Sequence, residues 1–273
     1  MSIDAKIVRL RTELKQYSSL AVAFSGGADS TLLLAVAHDV LSTGQSLAAI
    51  TAVSPIHPPQ DLQDAVDFTR KRGIRHVMLH PGEMQMPEFT ANTPNRCYIC
   101  KKIGFSLIRD AAQDLGILHP VHGANMDDCK DFRPGMRAAE ELGFAAPFIA
   151  AGLTKSDVRE ISMRMGLATW DKPSSGCLAT RIPYERPITE KKLDMIYRAE
   201  KALSEYGFKG VRVRHYDALA KIELSDDDFE KILPSPVRAA IFEKFRQIGF
   251  LFVSIDIEPY RTGRMNRSLT PDR

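Results

Sequence analysis

Along the first 150 residues, short unbroken apolar runs alternate with segments whose apolar positions recur at helical spacing. The runs at 20–24, 46–53, 76–79 and 119–124 read as strands, because continuous apolar character suits a strand buried on both faces. Between them, 30–41 carries Leu33, Leu34 and Ala37 on one side, and 61–72 carries Leu62, Ala65, Val66 and Phe68. Residues 97–115 and 156–165 are also helical in pattern, the latter with Ser156 as the expected N-cap. Residues 1–16 read as an amphipathic helix. Strands separated by helices predict a parallel sheet with helices on both faces.

The pattern breaks over 170–187, where three prolines interrupt a stretch with neither period. Beyond it, Thr189 can cap a helix reaching about 206, with Glu190 just inside. Alternating segments at 211–216 and 219–224 suggest a hairpin, followed by helices near 227–233 and 236–248 and a strand over 250–257. The expected fold class is therefore α/β: a doubly wound parallel sheet over 1–170, an active-site loop or linker over 171–188, a smaller α+β domain over 189–262, and a polar tail over 263–273. No internal repeat is visible.

The turn after the first strand, Ser25-Gly26-Gly27-Ala28-Asp29-Ser30, carries the first chemistry. Its glycines allow dihedrals closed to other residues, and the helix N-terminus behind them offers N–H groups to an anion. Ser25 and Ser30 add hydroxyls. Asp29 beside an anion makes electrostatic sense when a divalent cation bridges it to phosphate. The turn is neither a Walker A loop nor GxGxxG. A tight strand–helix turn with a Ser/Asp cap would use the same residues.

Composition alters this picture little. Of 273 residues, 44% are hydrophobic and 26% charged, as in ordinary globular proteins. No apolar run approaches the roughly 20 residues of a membrane span, and the amino end lacks a signal peptide's apolar core, so a cytoplasmic location is expected. A net charge of +3 does not argue for nucleic acid. Arginines nevertheless gather in the last third, at 181, 186, 198, 212, 214, 261, 264 and 267. The guanidinium fork suits phosphate or carboxylate, although solvated surface charge is the plain alternative for each one. Of four cysteines, Cys97 and Cys100 form a lone CxxC, and Cys129 and Cys177 stand apart. Glu200 shares a helical stripe with Ile196, Leu203 and Gly207, so its carboxylate needs a partner. Arg212 and Arg214 share one face of their strand. A phosphate-bearing ligand or a structural Glu–Arg pair would satisfy them. Glu223 and the acidic run Asp226–Asp228 could hold a metal, with an Asp-rich helix start as the default.

SGG-x-DS after a hydrophobic strand resembles the PP-loop of ATP pyrophosphatases. The chain as a whole, from about 5 to about 268, is similar to the LarE group of ATP-dependent sacrificial sulfur transferases. The likeness is carried by the PP-loop, NRCYICKK (95–102), GANMDD (123–128), KPSSGCLATRIPYE (172–185), ITEKKL…AEKAL (188–203), VRVRH (211–215) and YRTGRMN (260–266). Ser175-Gly176 and Tyr184-Glu185 depart from the usual pattern without removing a reacting group. The resemblance implies ATP and Mg²⁺, adenylation of a carboxylate of a pyridinium dicarboxylate mononucleotide, release of AMP and pyrophosphate, and Cys177 as the catalytic thiolate. Neighbouring positive charge, here Lys172 and Arg181 in sequence, favours a thiolate.

By the same resemblance, Ser25, Gly26, Gly27, Asp29 and Ser30 bind ATP, with Asn125 and Asp127 at the nucleotide end, although a solvated turn fits those two as well. Asp29 meets Mg²⁺ through phosphate. Lys101, Arg181, Glu200, Arg212, Arg214 and Arg261 bind substrate or its phosphate. The sulfur source stays open between Cys177 itself and sulfide on a [4Fe–4S] cluster held by Cys97, Cys100 and Cys177. The implied partners are a downstream nickel-inserting protein and further copies of the chain, with a hexamer as the specific expectation; neither membrane nor nucleic acid is expected. Two other readings compete. One is a PP-loop tRNA thiolase or an NAD- or GMP-synthetase-like enzyme, which would call for an RNA-binding patch or a glutaminase partner. The other is a nucleotide sensor, which has no use for a thiol beside arginines.

Overall fold

A computed structural model of the chain describes residues 1–41, 46–130, 134–173, 176–261 and 263–269. Ser174 and Ser175 of the proline-rich motif and Thr262 of the carboxy-terminal motif lie outside them. From the amino end the elements run α1 (Ile3–Lys15), β1 (Ser19–Ala23), α2 (Ala28–Val40), β2 (Ser46–Ala52), α3 (Pro59–Arg72), β3 (Arg75–Leu79), α4 (Pro87–Thr90), α5 (Arg96–Asp114) and β4 (His119–Val121). Then follow α6 (Pro134–Glu141), α7 (Pro147–Ala151), α8 (Lys155–Arg164), α9 (Glu190–Glu205), β5 (Arg212–Tyr216), β6 (Leu219–Glu223), α10 (Asp226–Ile232), α11 (Ser235–Ile248) and β7 (Phe252–Ile255). They form two compact units. The first holds Met1–Ser54, Pro59–Glu83 and Asn95–Ser174; the second holds Pro55–Pro58, Met84–Pro94 and Ser175–Arg273.

In the first unit four parallel strands stand in the order β3-β2-β1-β4. Successive side chains of β1 alternate between two cores, as strand geometry requires. Leu20 and Val22 pack with Leu10, Leu14, Leu33, Phe148 and Ile161 from α1, α2, α7 and α8. Ala21 joins Phe105, Ile108 and Ala139 from α5 and α6 on the other face. This is the α/β, doubly wound sheet expected from the alternating pattern. The order reverses between β1 and β4, so the crevice for a ligand opens at their carboxyl ends. The cap of α8 differs from expectation. Thr154, not Ser156, is the N-cap, and it exchanges hydrogen bonds with Asp157 in a capping box. Asp157 three residues on completes the box, an option Ser156 lacks because Arg159 stands at its own N3 position.

The second unit has a three-stranded sheet, β5-β6-β7, in which β5 and β6 form the expected antiparallel hairpin and β7 runs parallel to β6. Val213 and Ile222 face α9 and α11 through Met195, Leu203, Ile241 and Phe245. The polar tail begins with a 3-10 turn, Arg264–Leu269. Among the described residues, no helix is long and apolar enough to cross a membrane.

Candidate active site

The glycine turn sits at the carboxyl end of β1. Gly26 has φ +70°, and a Cβ there would lie 2.4 Å from the Asp61 carbonyl oxygen on α3. No side chain other than hydrogen fits, and the left-handed dihedral would strain any replacement. Gly27 caps α2 without a side-chain hydrogen bond, so the first-turn N–H groups keep their donors for an anion. The two hydroxyls close the loop: Ser30 Oγ lies 3.1 Å from Ser25 Oγ and accepts from Ser25 N at 3.2 Å.

Asp29 faces β4. Asn125, which is buried, donates from Nδ2 to the Asp29 carboxylate at 3.2 Å, and the Lys155 ammonium pairs with the other oxygen. The Asn125 side-chain oxygen accepts from Asp127 N at 3.0 Å, and Asp127 Oδ2 accepts from Lys155 N at the start of α8 at 2.9 Å. GANMDD is thus a built corner rather than a solvated turn. A Cβ on Gly123 would lie 3.1 to 3.2 Å from Asp29 and Ser30, so the chain just after β4 presses closely against the start of α2.

Lys101 lies on α5 with its ammonium 5.5 Å from the Phe105 ring centroid. His122, at the end of β4, stacks edge-on against the same ring. Burial, and then the Lys101 charge, push the His122 pKa down to about 4, so its imidazole is neutral at physiological pH. Cys97 and Cys100, three apart on α5, are half-buried, and Cys129 is exposed. Among the described residues, no three His, Cys, Asp or Glu side chains gather as a metal site. Asp29 beside the anion loop does fit the usual magnesium mode, in which one or two carboxylates act together with substrate phosphates.

In the second unit Cys177 starts a 3-10 turn, Leu178–Arg181. Its thiol is half-buried, and its carbonyl accepts from Arg181 Nη1 at 3.0 Å and Thr180 Oγ1 at 2.6 Å. Gly176 has φ +59°, and a Cβ there would lie 3.2 Å from Arg181 Nη1. Arg181, 2% exposed, forks onto Glu200 with bonds of 2.9 and 3.1 Å. Glu200 also accepts from Val213 N at 3.0 Å. Its inward carboxylate has the partner the α9 stripe demanded. Arg214 donates to the Thr180 carbonyl at 2.8 Å and pairs with buried Glu223 at 2.6 Å. Arg212 lies over the Tyr260 ring at 4.7 Å. Burial, and then the Arg181 charge, disfavour its charged form, so an added anion there would be welcome. Arg261 is exposed.

Several partners were not foreseen. Glu223, considered for a metal, is claimed by Arg214 and by Arg264 at 3.3 Å. Asp228 instead caps a loop, accepting from Lys209 N. Lys172, expected to support the thiolate, is engaged by Asp61 and Asp64 at 2.8 and 2.7 Å. Asn92, fully buried with φ +60°, donates to the carbonyls of Pro183 and Arg186 at 2.7 and 2.8 Å and so ties down the chain after Cys177. An Asn in a Pro-rich stretch is a weak sequence signal for such a left-handed anchor.

No family model matches the chain. It is 40% identical to an uncharacterized protein of Synechocystis over 98% of its own length and 99% of that protein's. It is 31% identical to the pyridinium-3,5-bisthiocarboxylic acid mononucleotide synthase of Lactiplantibacillus plantarum, over 98% of its length and 96% of the synthase. A 27% likeness to the tRNA-specific 2-thiouridylase MnmA of Rickettsia felis spans 58% of the chain and 53% of that enzyme. With a parallel sheet, a double-glycine turn ahead of α2 and a synthase matched along nearly its whole length, the chain belongs to the LarE family of PP-loop proteins.

Proposed function

We propose that this protein is an ATP-dependent sulfur transferase that converts a carboxylate of a pyridinium dicarboxylate mononucleotide to a thiocarboxylate, with Cys177 as the sulfur donor. The reading rests first on the likeness to the Lactiplantibacillus synthase. The observation that carries it to this chain is the setting of Cys177. A buried guanidinium, fixed by Glu200, grips the cysteine's own carbonyl, in a unit that also buries Arg212 and Arg214. A nucleotide sensor needs no such arrangement.

In this mechanism the substrate carboxylate attacks the α-phosphorus of ATP and expels pyrophosphate, giving an acyl adenylate. The Cys177 thiolate adds to the activated carbonyl and AMP departs, leaving a thioester. Loss of the Cys177 Cα proton to a base then breaks the Cβ–S bond. Sulfur leaves as the thiocarboxylate, and residue 177 becomes dehydroalanine. The N–H groups of the Gly26–Gly27 turn, with Ser25 and Ser30, hold the pyrophosphate. Asp29, with the phosphates, would hold Mg²⁺, which would supply neutralising charge there. Asn125 and Asp127 keep Asp29 and Lys155 in position. Arg212, Arg214 and Arg261 meet the substrate phosphate, Lys101 adds charge for the substrate, and Arg181 and Glu200 orient the cysteine turn. The thiocarboxylate passes to a nickel-inserting protein, and the chain works as a homo-oligomer, which sedimentation would register.

The test is incubation with ATP, Mg²⁺ and the pyridinium mononucleotide, followed by pyrophosphate assay and intact mass. Pyrophosphate release with a protein lighter by the elements of H₂S, mapped to Cys177, is expected. Pyrophosphate without sulfur transfer would indicate a synthetase, and none at all a sensor. An iron- and sulfide-containing protein that turns over at constant mass would move the sulfur to a cluster.

A further inference from the structure

We propose that Lys172 is a positioning residue of the phosphate loop: its ammonium holds the Gly26 carbonyl on the back of the turn and so aims the Gly27 N–H at the pyrophosphate. This rests on the reading of the loop as the ATP site. Lys172 Nζ lies 3.3 Å from the Gly26 oxygen and is fixed from the other side by Asp61 Oδ1 at 2.8 Å and Asp64 Oδ2 at 2.7 Å. All three partners meet where Gly26 already touches the first turn of α3. The peptide between Gly26 and Gly27 is planar and trans, so its C=O and N–H point in opposite directions. A cation that draws the carbonyl backward turns the amide forward, toward Ser25 Oγ, which Gly27 N reaches at 3.4 Å.

The two acids also keep Lys172 charged. Although burial alone would lower its pKa, Asp61 and Asp64 hold it above the ordinary lysine value. Asp61 and Asp64 therefore serve the lysine, and the lysine serves the glycine. A change at Lys172 thus acts on the loop read as the ATP site.

The experiment compares Lys172→Met, Lys172→Arg and Leu10→Ala by calorimetric titration with Mg·ATP, by hydrogen exchange of peptides covering residues 24–31, and by thermal unfolding. Lys172→Met should weaken ATP binding by about tenfold or more, equivalent to roughly 1.4 kcal/mol, and speed exchange at 24–31. Lys172→Arg, which keeps charge and donors, should recover most of both. Leu10→Ala, which opens a cavity in the core under α1, should lower the unfolding temperature yet leave ATP affinity within about threefold of wild type, roughly 0.65 kcal/mol. If Leu10→Ala costs as much affinity as Lys172→Met, the effect is one of stability and the proposal fails. Unchanged exchange at 24–31 in Lys172→Met overturns it as well. Exchange needs no ligand, so a wild-type protein that ignores ATP would sink the functional reading while the loop's dependence on Lys172 is still measured.

Discussion

Removing the Glu200 carboxylate leaves the most deeply buried charge near Cys177 without its counter-ion. Arg181 and Glu200 have side chains 2% and 16% exposed, and the pair is bidentate. Breaking such a pair from one side costs about 3–5 kcal/mol, because the remaining ion is both desolvated and uncompensated. Glu200→Ala should therefore shift the urea unfolding transition of the second unit by that amount. The double variant Arg181→Met/Glu200→Leu removes both charges and fills the volume. It should recover most of the loss, falling short by about 1 kcal/mol for the Val213 N–H that Glu200 no longer accepts. Stability and function then separate. The double variant should fold nearly as well as wild type yet fail to transfer sulfur, since the Cys177 carbonyl loses its charged donor and keeps only the Thr180 hydroxyl. A cost below about 1 kcal/mol for Glu200→Ala would mean that water solvates Arg181 after all. A double variant with wild-type turnover would remove Arg181 from the mechanism.

Gly26→Ala should abolish ATP binding in calorimetry and destabilise the first unit by more than the 1–2 kcal/mol or so of left-handed strain, because its Cβ would meet the Asp61 carbonyl. Cys177→Ser should still release pyrophosphate once but leave protein mass unchanged and the product free of sulfur. Asn92→Ala should strand two carbonyls after Cys177 and force alanine into a left-handed dihedral, costing roughly 2–4 kcal/mol by denaturant titration. His122 stays neutral when folded to about pH 4, whereas the unfolded chain takes a proton below about 6.5. Stability should accordingly be full above pH 6.5 and decline by roughly 3 kcal/mol toward pH 4, and His122→Phe should flatten that part of the profile.

What could be read from the sequence was what short-range physics decides. The strand–glycine–helix turn, the alternation behind the doubly wound sheet and the inward Glu200 each follow from spacing within one element, and each stands in the fold as spacing implies. What could not be read were contests among residues far apart in the chain. Lys172 stands five residues from Cys177, so local reasoning gave its charge to the thiol; the fold instead brings it to two acids about 110 residues away on α3. In sequence Glu223 groups with the acidic run Asp226–Asp228, yet the hairpin register sets it opposite Arg212 and within reach of Arg214 two positions along the same face, and Arg264 takes its other oxygen. Pro55–Pro58 and Met84–Pro94 belong to the second unit although they interrupt the first in sequence. They do so because Ile56 and Asn92 supply the acceptor and the donor that fix the backbone on either side of Arg181. Every one of these is a charge or an amide that burial obliges to find a partner. The chain states the obligation locally, and only the fold decides who meets it; the mutations most informative about this enzyme are therefore those that change which partner is chosen, as at Lys172, rather than those that delete a reacting atom.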